Sequence, residues 1–236
     1  RLSLVGSEMC IRDSPYASID GIWLYQLEVL GLYLSGGLVF YYFANRGLKN
    51  LLICLFSILL LGVYHVSMSW VDRPLDSIVF YNVRGCPAVH CIDNNGNSRI
   101  VYGDSLSDKR QLYRVATNYW NHHQLLSPLE VTAAYQDTAL CCREQILSYH
   151  GRRICMVTDH RWRNKSAATP LYIDYLYLCK GYNGHLKELR LLFAPECIIL
   201  DASLSEHRKQ LFEEECKQSG LRFISLSEKG SVRFLL

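Results

Sequence analysis

The sequence predicts an α+β chain in two parts, a transmembrane helical hairpin followed by a sheet-rich domain. Three observations predict it. Apolar residues crowd the first third, nearly all charge lies after Asp72, and from Ser77 onward the pattern becomes short apolar runs broken by turn residues. A chain that is 50% hydrophobic and 12% aromatic suits one soluble domain plus membrane-embedded material better than a single globule. A formal net charge of +3 is too small to mark a nucleic-acid binder by itself.

The elements follow in order. Residues 1–14 contain "SLVGSEMCIRDS", which reads like a translated sequencing adapter, so this stretch is set aside and the gene is expected to continue upstream. Within residues 15–72, the stretches 21–44 and 48–70 approach the roughly 20 apolar residues that cross a bilayer as a helix. Trp23, Tyr25, Tyr41, Tyr42 and Trp70 lie near their ends, as interfacial aromatics do. Arg46 and Lys49 in the connector favour the cytoplasm, which puts the following domain outside the cytoplasmic membrane. Glu28 is the membrane polar residue; burial in lipid is costly, so it is expected to face other helices, with partners upstream of this chain. His65 is expected at the outer boundary in an interfacial role. Gly31, Ser35, Gly36 and Gly37 allow close helix packing.

In residues 77–236, "SIVFYNV", "AVHCID" and "RIVYG" read as strands, with "NNGNS" as a tight hairpin turn. Residues 106–126 read as a helix with Leu106, Leu112, Val115 and Trp120 on one face. Strands around "LEVTAAY" and "QILSYHGRRICMVTD" come next, then an alternation: strand "YLYLCKG", helix "GHLKELRLLF", strand "CIILDAS", helix "SEHRKQLFEEECKQSG", and strands "RFISL" and "SVRFLL". Leu211, Phe212 and Cys216 face the core, and Gly220 closes the last long helix. The ten cysteines form no CxxC pair and no Cys/His quartet, so they read as small buried hydrophobes.

Taken together, the hairpin, the opening "IVFYNVRGCPAVHCIDNNGNSRIVYGD", the strand "RRICMVTD", the strand and loop "DYLYLCKGYNGH" and the strand "APECIILDAS" resemble, in order and spacing, the C-terminal part of the ComEC family of DNA-uptake channels. That resemblance implies a metallo-β-lactamase-like αββα domain. It implies a degenerate one, because the family's HxDxDH loop has no counterpart: "NYWNHHQL" around His122 and His123 lacks the aspartate, "RGCP" replaces "GQGD", and Lys180 and Gly181 stand where the family has paired histidines. Asp159 is the remaining family-pattern ligand, a residual metal candidate. One carboxylate does not hold two metals, so no cofactor is expected, and Asp159 is expected to cap or hydrogen-bond the next turn.

The function implied is that of an inner-membrane channel component passing single-stranded DNA during natural competence, without hydrolysis. Its partners would be single-stranded DNA, the membrane, the upstream helices of the same full-length protein and other competence proteins. The candidate DNA contacts are Arg152, Arg153, Arg161, Trp162, Arg163 and Lys165, basic groups for phosphates around an indole that stacks on a base. Against them stands a solvated surface on a mildly basic domain of 20 basic and 16 acidic residues. The alternative is a nuclease degrading the non-transported strand, with a relocated metal site using Asp159, His160, Asp174 or Asp201.

Overall fold

A computed structural model describes residues 23–103, 109–131 and 134–236. Residues 1–14 lie outside the described residues, as does Leu106. The chain divides into two compact units, one holding the hairpin up to Arg73, with Asn121–Gln124 counted in it, and one holding the remainder from Pro74 onward.

The first unit contains α1 (Gln26–Ala44) and α2 (Leu48–Val71), both long and apolar enough to cross a membrane by length and composition. Most of their large apolar side chains are exposed, as lipid-facing surfaces are. The small residues divide: a Cβ on Gly31 would collide with Leu61 of α2, whereas Gly36 and Gly37 face open space. Only the first of these glycines therefore sets the helix approach. Glu28 has partners within the hairpin itself. It is 1% exposed, its carboxylate accepts the Tyr25 N–H at 3.0 Å, and its other oxygen lies 2.8 Å from His65 Nδ1. His65 thus serves as the cross-hairpin partner of Glu28, which periodicity within one helix could not show.

The second unit is a four-layer sandwich. Its strands are β1 (Ser77–Phe80), β2 (Ala88–Ile92), β3 (Ser98–Tyr102), β4 (Leu129–Val131), β5 (Ala134–Gln136), β6 (Leu140–Arg143), β7 (Ile146–Tyr149), β8 (Arg152–Val157), β9 (Leu171–Leu178), β10 (Phe193–Leu200), β11 (Arg222–Ser225) and β12 (Val232–Leu235). Its helices are α3 (Lys109–His122), α4 (Leu186–Arg190), α5 (Glu206–Ser219) and the short α6 (Leu226–Lys229). One sheet runs β12-β1-β2-β3-β4 and the other β11-β10-β9-β8-β7-β6-β5.

Strand alternation explains the layering. In β1, Ile78 and Phe80 point into a core shared with Met156, Tyr177 and Ile199 of the second sheet, while Val79 joins Tyr81 in meeting Leu112, Ala116 and Trp120 of α3. In β8, Ile154 and Met156 face the first sheet, while Cys155 and Val157 face Leu186, Leu189, Phe212 and Cys216 of α4 and α5. Each sheet buries both faces, so its central strands read as continuous apolar runs. The layer order is helix, sheet, sheet, helix.

The β2–β3 hairpin turns at "NNGN" with Gly96 at φ +81°, as its sequence requires. "LEVTAAY" is two strands in different sheets, β4 parallel to β3 and β5 antiparallel to β6. "QILSYHGRRICMVTD" is a hairpin that reverses at His150 and Gly151, both with positive φ. On α3 the buried face is Leu112, Ala116 and Trp120, spaced by four, and Val115 is 56% exposed. α5 buries Phe212 and Cys216, packs Leu211 partly against them and ends on Gly220 at φ +66°.

His90 lies in the middle of this fold, fully buried on β2. Trp120 Nε1–H donates to Tyr81 Oη at 2.9 Å, and Tyr81 Oη lies 2.7 Å from His90 Nδ1. The Trp120–Tyr81–His90 relay is consistent when the tyrosine donates to Nδ1, which leaves the proton on Nε2 with no acceptor among the described residues. Burial pushes the His90 pKa down to about 3.

Candidate functional site

The strands β8, β9, β10 and β11 are mutually parallel, so their C-terminal ends open on one edge of the second sheet. Ligands in such sheets bind beyond the carboxyl ends of the strands. A cleft of about 1170 Å³ lies there, and the first sheet supplies its opposite wall through Pro87, Tyr102, Gly103, Glu130 and Val131. The two walls approach closely at the base, where a Cβ on Gly103 would meet Thr158, Met156 and Pro87.

The ends of β8, β9 and β10 contribute polar groups. Thr158 and Asp159 follow β8, Lys180 and Gly181 follow β9, and Asp201 and Ser203 follow β10. Asp201 is 2% exposed and accepts from Tyr177 Oη and from the Ser203 N–H at 2.9 Å. Burial raises its pKa despite these donors. Asp201 thereby fixes the turn that aims Ser203, whose Oγ accepts the Gly85 N–H at 2.7 Å and ties the β1–β2 connection to the second sheet. Asp201 therefore acts as a positioning group below the cleft.

Asp159 does bond to the turn that follows it. Its Oδ1 accepts the Arg161 N–H at 3.0 Å and its Oδ2 lies 3.1 Å from Arg161 Nε. Partial burial alone would raise its pKa, but the Arg161 N–H and guanidinium outweigh that and hold the carboxyl below the usual aspartate range. Arg161 also meets Glu144 at 2.9 Å, and Lys109 pairs with Glu130 across the cleft mouth. Lys180 is the exposed exception: it is the charged side chain on the cleft wall with no ion pair among the described residues.

These residues do not fit a dinuclear metal. Among the described residues no three His, Cys, Asp or Glu side chains gather to hold an ion. Asp174, a member of the relocated site the sequence allowed, lies near the start of β9. It is 4% exposed and consumed by the Arg152 guanidinium at 2.6 Å and the Arg153 N–H at 2.8 Å. It is separated from Asp159 by the length of β8, about 20 Å at 3.3 Å per residue. His160 is exposed, 6.0 Å from the Tyr182 ring between centroids. His122 is the last residue of α3 and His123 follows it.

The six candidate DNA contacts divide in the same way. Arg152 and Arg153 open β8, whereas Arg161, Trp162, Arg163 and Lys165 follow its other end. Arg152 is paired with Asp174, Arg161 with Asp159 and Glu144, and Arg163 lies 3.8 Å from Glu188. Trp162 is half-buried: it donates Nε1–H to Gln145 Oε1 at 2.7 Å and packs edge-on to Phe193 at 5.1 Å. Its indole anchors the loop, and Lys165 Nζ sits 5.6 Å from the ring centroid. Sequence proximity gathered these charges; the strand between them separates them. Of the residues that reasoning passed over, Thr158 carried a usable signal as the first polar position beyond the apolar run of β8, whereas Ser203 comes two positions after Asp201.

An α/β/β/α sandwich with a cleft over parallel strand ends, in a chain that also carries two helices long and apolar enough to cross a membrane, defines a mixed α+β protein with a candidate membrane hairpin. The sequence model of the ComEC C-terminal domain matches residues 78–236, and the chain belongs to that family of competence DNA-uptake proteins. No curated protein and no solved structure matches the chain.

Proposed function

We infer that residues 15–72 form a transmembrane hairpin closing a larger helical bundle, and that residues 77–236 form an extracytoplasmic, degenerate metallo-β-lactamase-like domain. The whole is the end of an inner-membrane channel that passes single-stranded DNA, and the domain guides or gates the strand without cutting it. The observation that carries this reading is Arg161 folded onto Asp159 at the cleft, the place where a hydrolytic relative would need an accessible ligand. A carboxylate saturated by a neighbouring guanidinium is a poor metal ligand, since a cation would have to displace a charge-assisted pair. The layer order and the membership of the ComEC C-terminal domain family support the same reading.

The test is a nuclease assay on the full chain in detergent with manganese or zinc, alongside Asp159→Ala. The expected result is no metal-dependent cleavage above background in either protein, together with binding of single-stranded DNA. Cleavage that disappears in Asp159→Ala would restore the nuclease reading.

A further inference from the structure

We propose that the cleft holds a single phosphate group without metal, anchored by the Lys180 ammonium and by the hydroxyls of Thr158 and Ser203. This rests on the DNA-guiding reading and names its contact: a phosphodiester of the passing strand.

The three groups come from the ends of three adjacent parallel strands, and all line the same cleft. Their hydrogen-bond accounts leave protons to give. Thr158 Oγ1 accepts from Gln145 Nε2 at 2.6 Å and Ser203 Oγ accepts from the Gly85 N–H at 2.7 Å. Each hydroxyl is thereby oriented by an incoming bond, and its own proton has no acceptor among the described residues. Lys180 adds three further donors and a positive charge that makes no ion pair among the described residues.

Every other charged group there is in an ion pair, Lys109 with Glu130, and Asp159 and Glu144 both with Arg161. The charged lining groups sum to zero, three cations against three anions, so what the cleft offers a phosphodiester is a local positive charge: the ammonium of Lys180, in no ion pair among the described residues, beside hydroxyl donors. Tyr102, on the opposite wall, is a half-buried ring that already holds Lys109 Nζ 4.9 Å from its centroid. Gly181 keeps the anchor in place. Its φ of +117° lets the chain turn away immediately after Lys180, and a Cβ there would strike the Thr158 carbonyl.

The experiment titrates the full chain in detergent micelles with a fluorescent single-stranded oligonucleotide at several salt concentrations, and separately with inorganic phosphate by calorimetry. Lys180→Gln is expected to weaken oligonucleotide binding about tenfold, the worth of one charge-assisted contact. It should also flatten the dependence of log affinity on log salt by about 0.7, the signature of one lost phosphate contact. Lys180→Arg should restore most of both. Arg153→Gln and Lys165→Gln, outside the cleft, should change neither by as much.

Oligonucleotide binding that ignores Lys180→Gln but falls in Arg153→Gln or Lys165→Gln would overturn the cleft site and leave the DNA-guiding reading standing. Lys180-dependent binding of phosphate with no oligonucleotide binding would support the site and overturn the DNA reading. No binding of either probe by the parent protein would overturn both.

Discussion

Replacing Gly181 by alanine separates two costs that the structure places on one residue. At φ +117° a residue with a side chain sits outside the left-handed well, and strain of this kind costs about 1–3 kcal/mol. The new Cβ would also fall inside van der Waals contact with the Thr158 carbonyl oxygen, a backbone atom that cannot rotate away. Stiffening the unfolded chain returns about 0.4–1 kcal/mol. With about 1–3 kcal/mol more for that steric overlap, the net loss is about 3 kcal/mol, a large value with a named cause.

Gly151 is the control. It turns the β7–β8 hairpin at φ +80°, and a Cβ there meets nothing within 4 Å. Its alanine variant carries only the dihedral cost, about 1–2 kcal/mol less the same unfolded-state return. Thermal unfolding of the full chain in micelles, followed by near-ultraviolet circular dichroism of the sandwich tyrosines, reads both. At about 2–4 °C per kcal/mol for a protein of this size, Gly181→Ala should lose about 6–12 °C and Gly151→Ala about 2 °C. Equal losses would show that the approach of Gly181 to Thr158 imposes nothing and would refute the reasoning.

Two further outcomes are expected. His90 has a folded pKa of about 3 against an ordinary 6.5, so its contribution is fully present above pH 6.5 and is lost as pH falls toward 3. At about 1.4 kcal/mol per pH unit that is about 5 kcal/mol in total. His90→Gln should accordingly make acid unfolding shallower, and an unchanged pH profile would remove His90 as the cause. For orientation, a membrane-impermeant thiol reagent applied to intact spheroplasts should label a cysteine introduced at exposed Lys187 and leave one at Lys49 untouched, relative to the parent protein. The reverse pattern would invert the topology.

Local periodicity determined a good deal on its own. Two apolar stretches fixed α1 and α2 within a few residues, because hydrocarbon-length helices need nothing beyond composition. "NNGN" fixed the β2–β3 turn and Gly220 the end of α5, because a positive φ is a property of one residue. The order of strands and helices after residue 170 was legible for the same reason. Pairing was not. Nothing local places Leu129–Val131 and Ala134–Gln136 in different sheets, or brings Val232–Leu235 back to β1, because those choices are made by partners distant in sequence.

The site shows the same division. Five basic residues within fourteen positions read as a patch, yet β8 carries two of them to one end of the sandwich and three to the other, and Asp174, Asp159 and Glu188 pair with three of the five. Glu28 met His65 only once the hairpin closed. Asp159 was legible as a residue that bonds its own turn, since Arg161 is two positions away. Lys180 was legible as a lysine; that it is the cleft's charged group without an ion pair among the described residues follows from which groups the two sheets bring opposite one another, and pairing is a property of space, not of sequence.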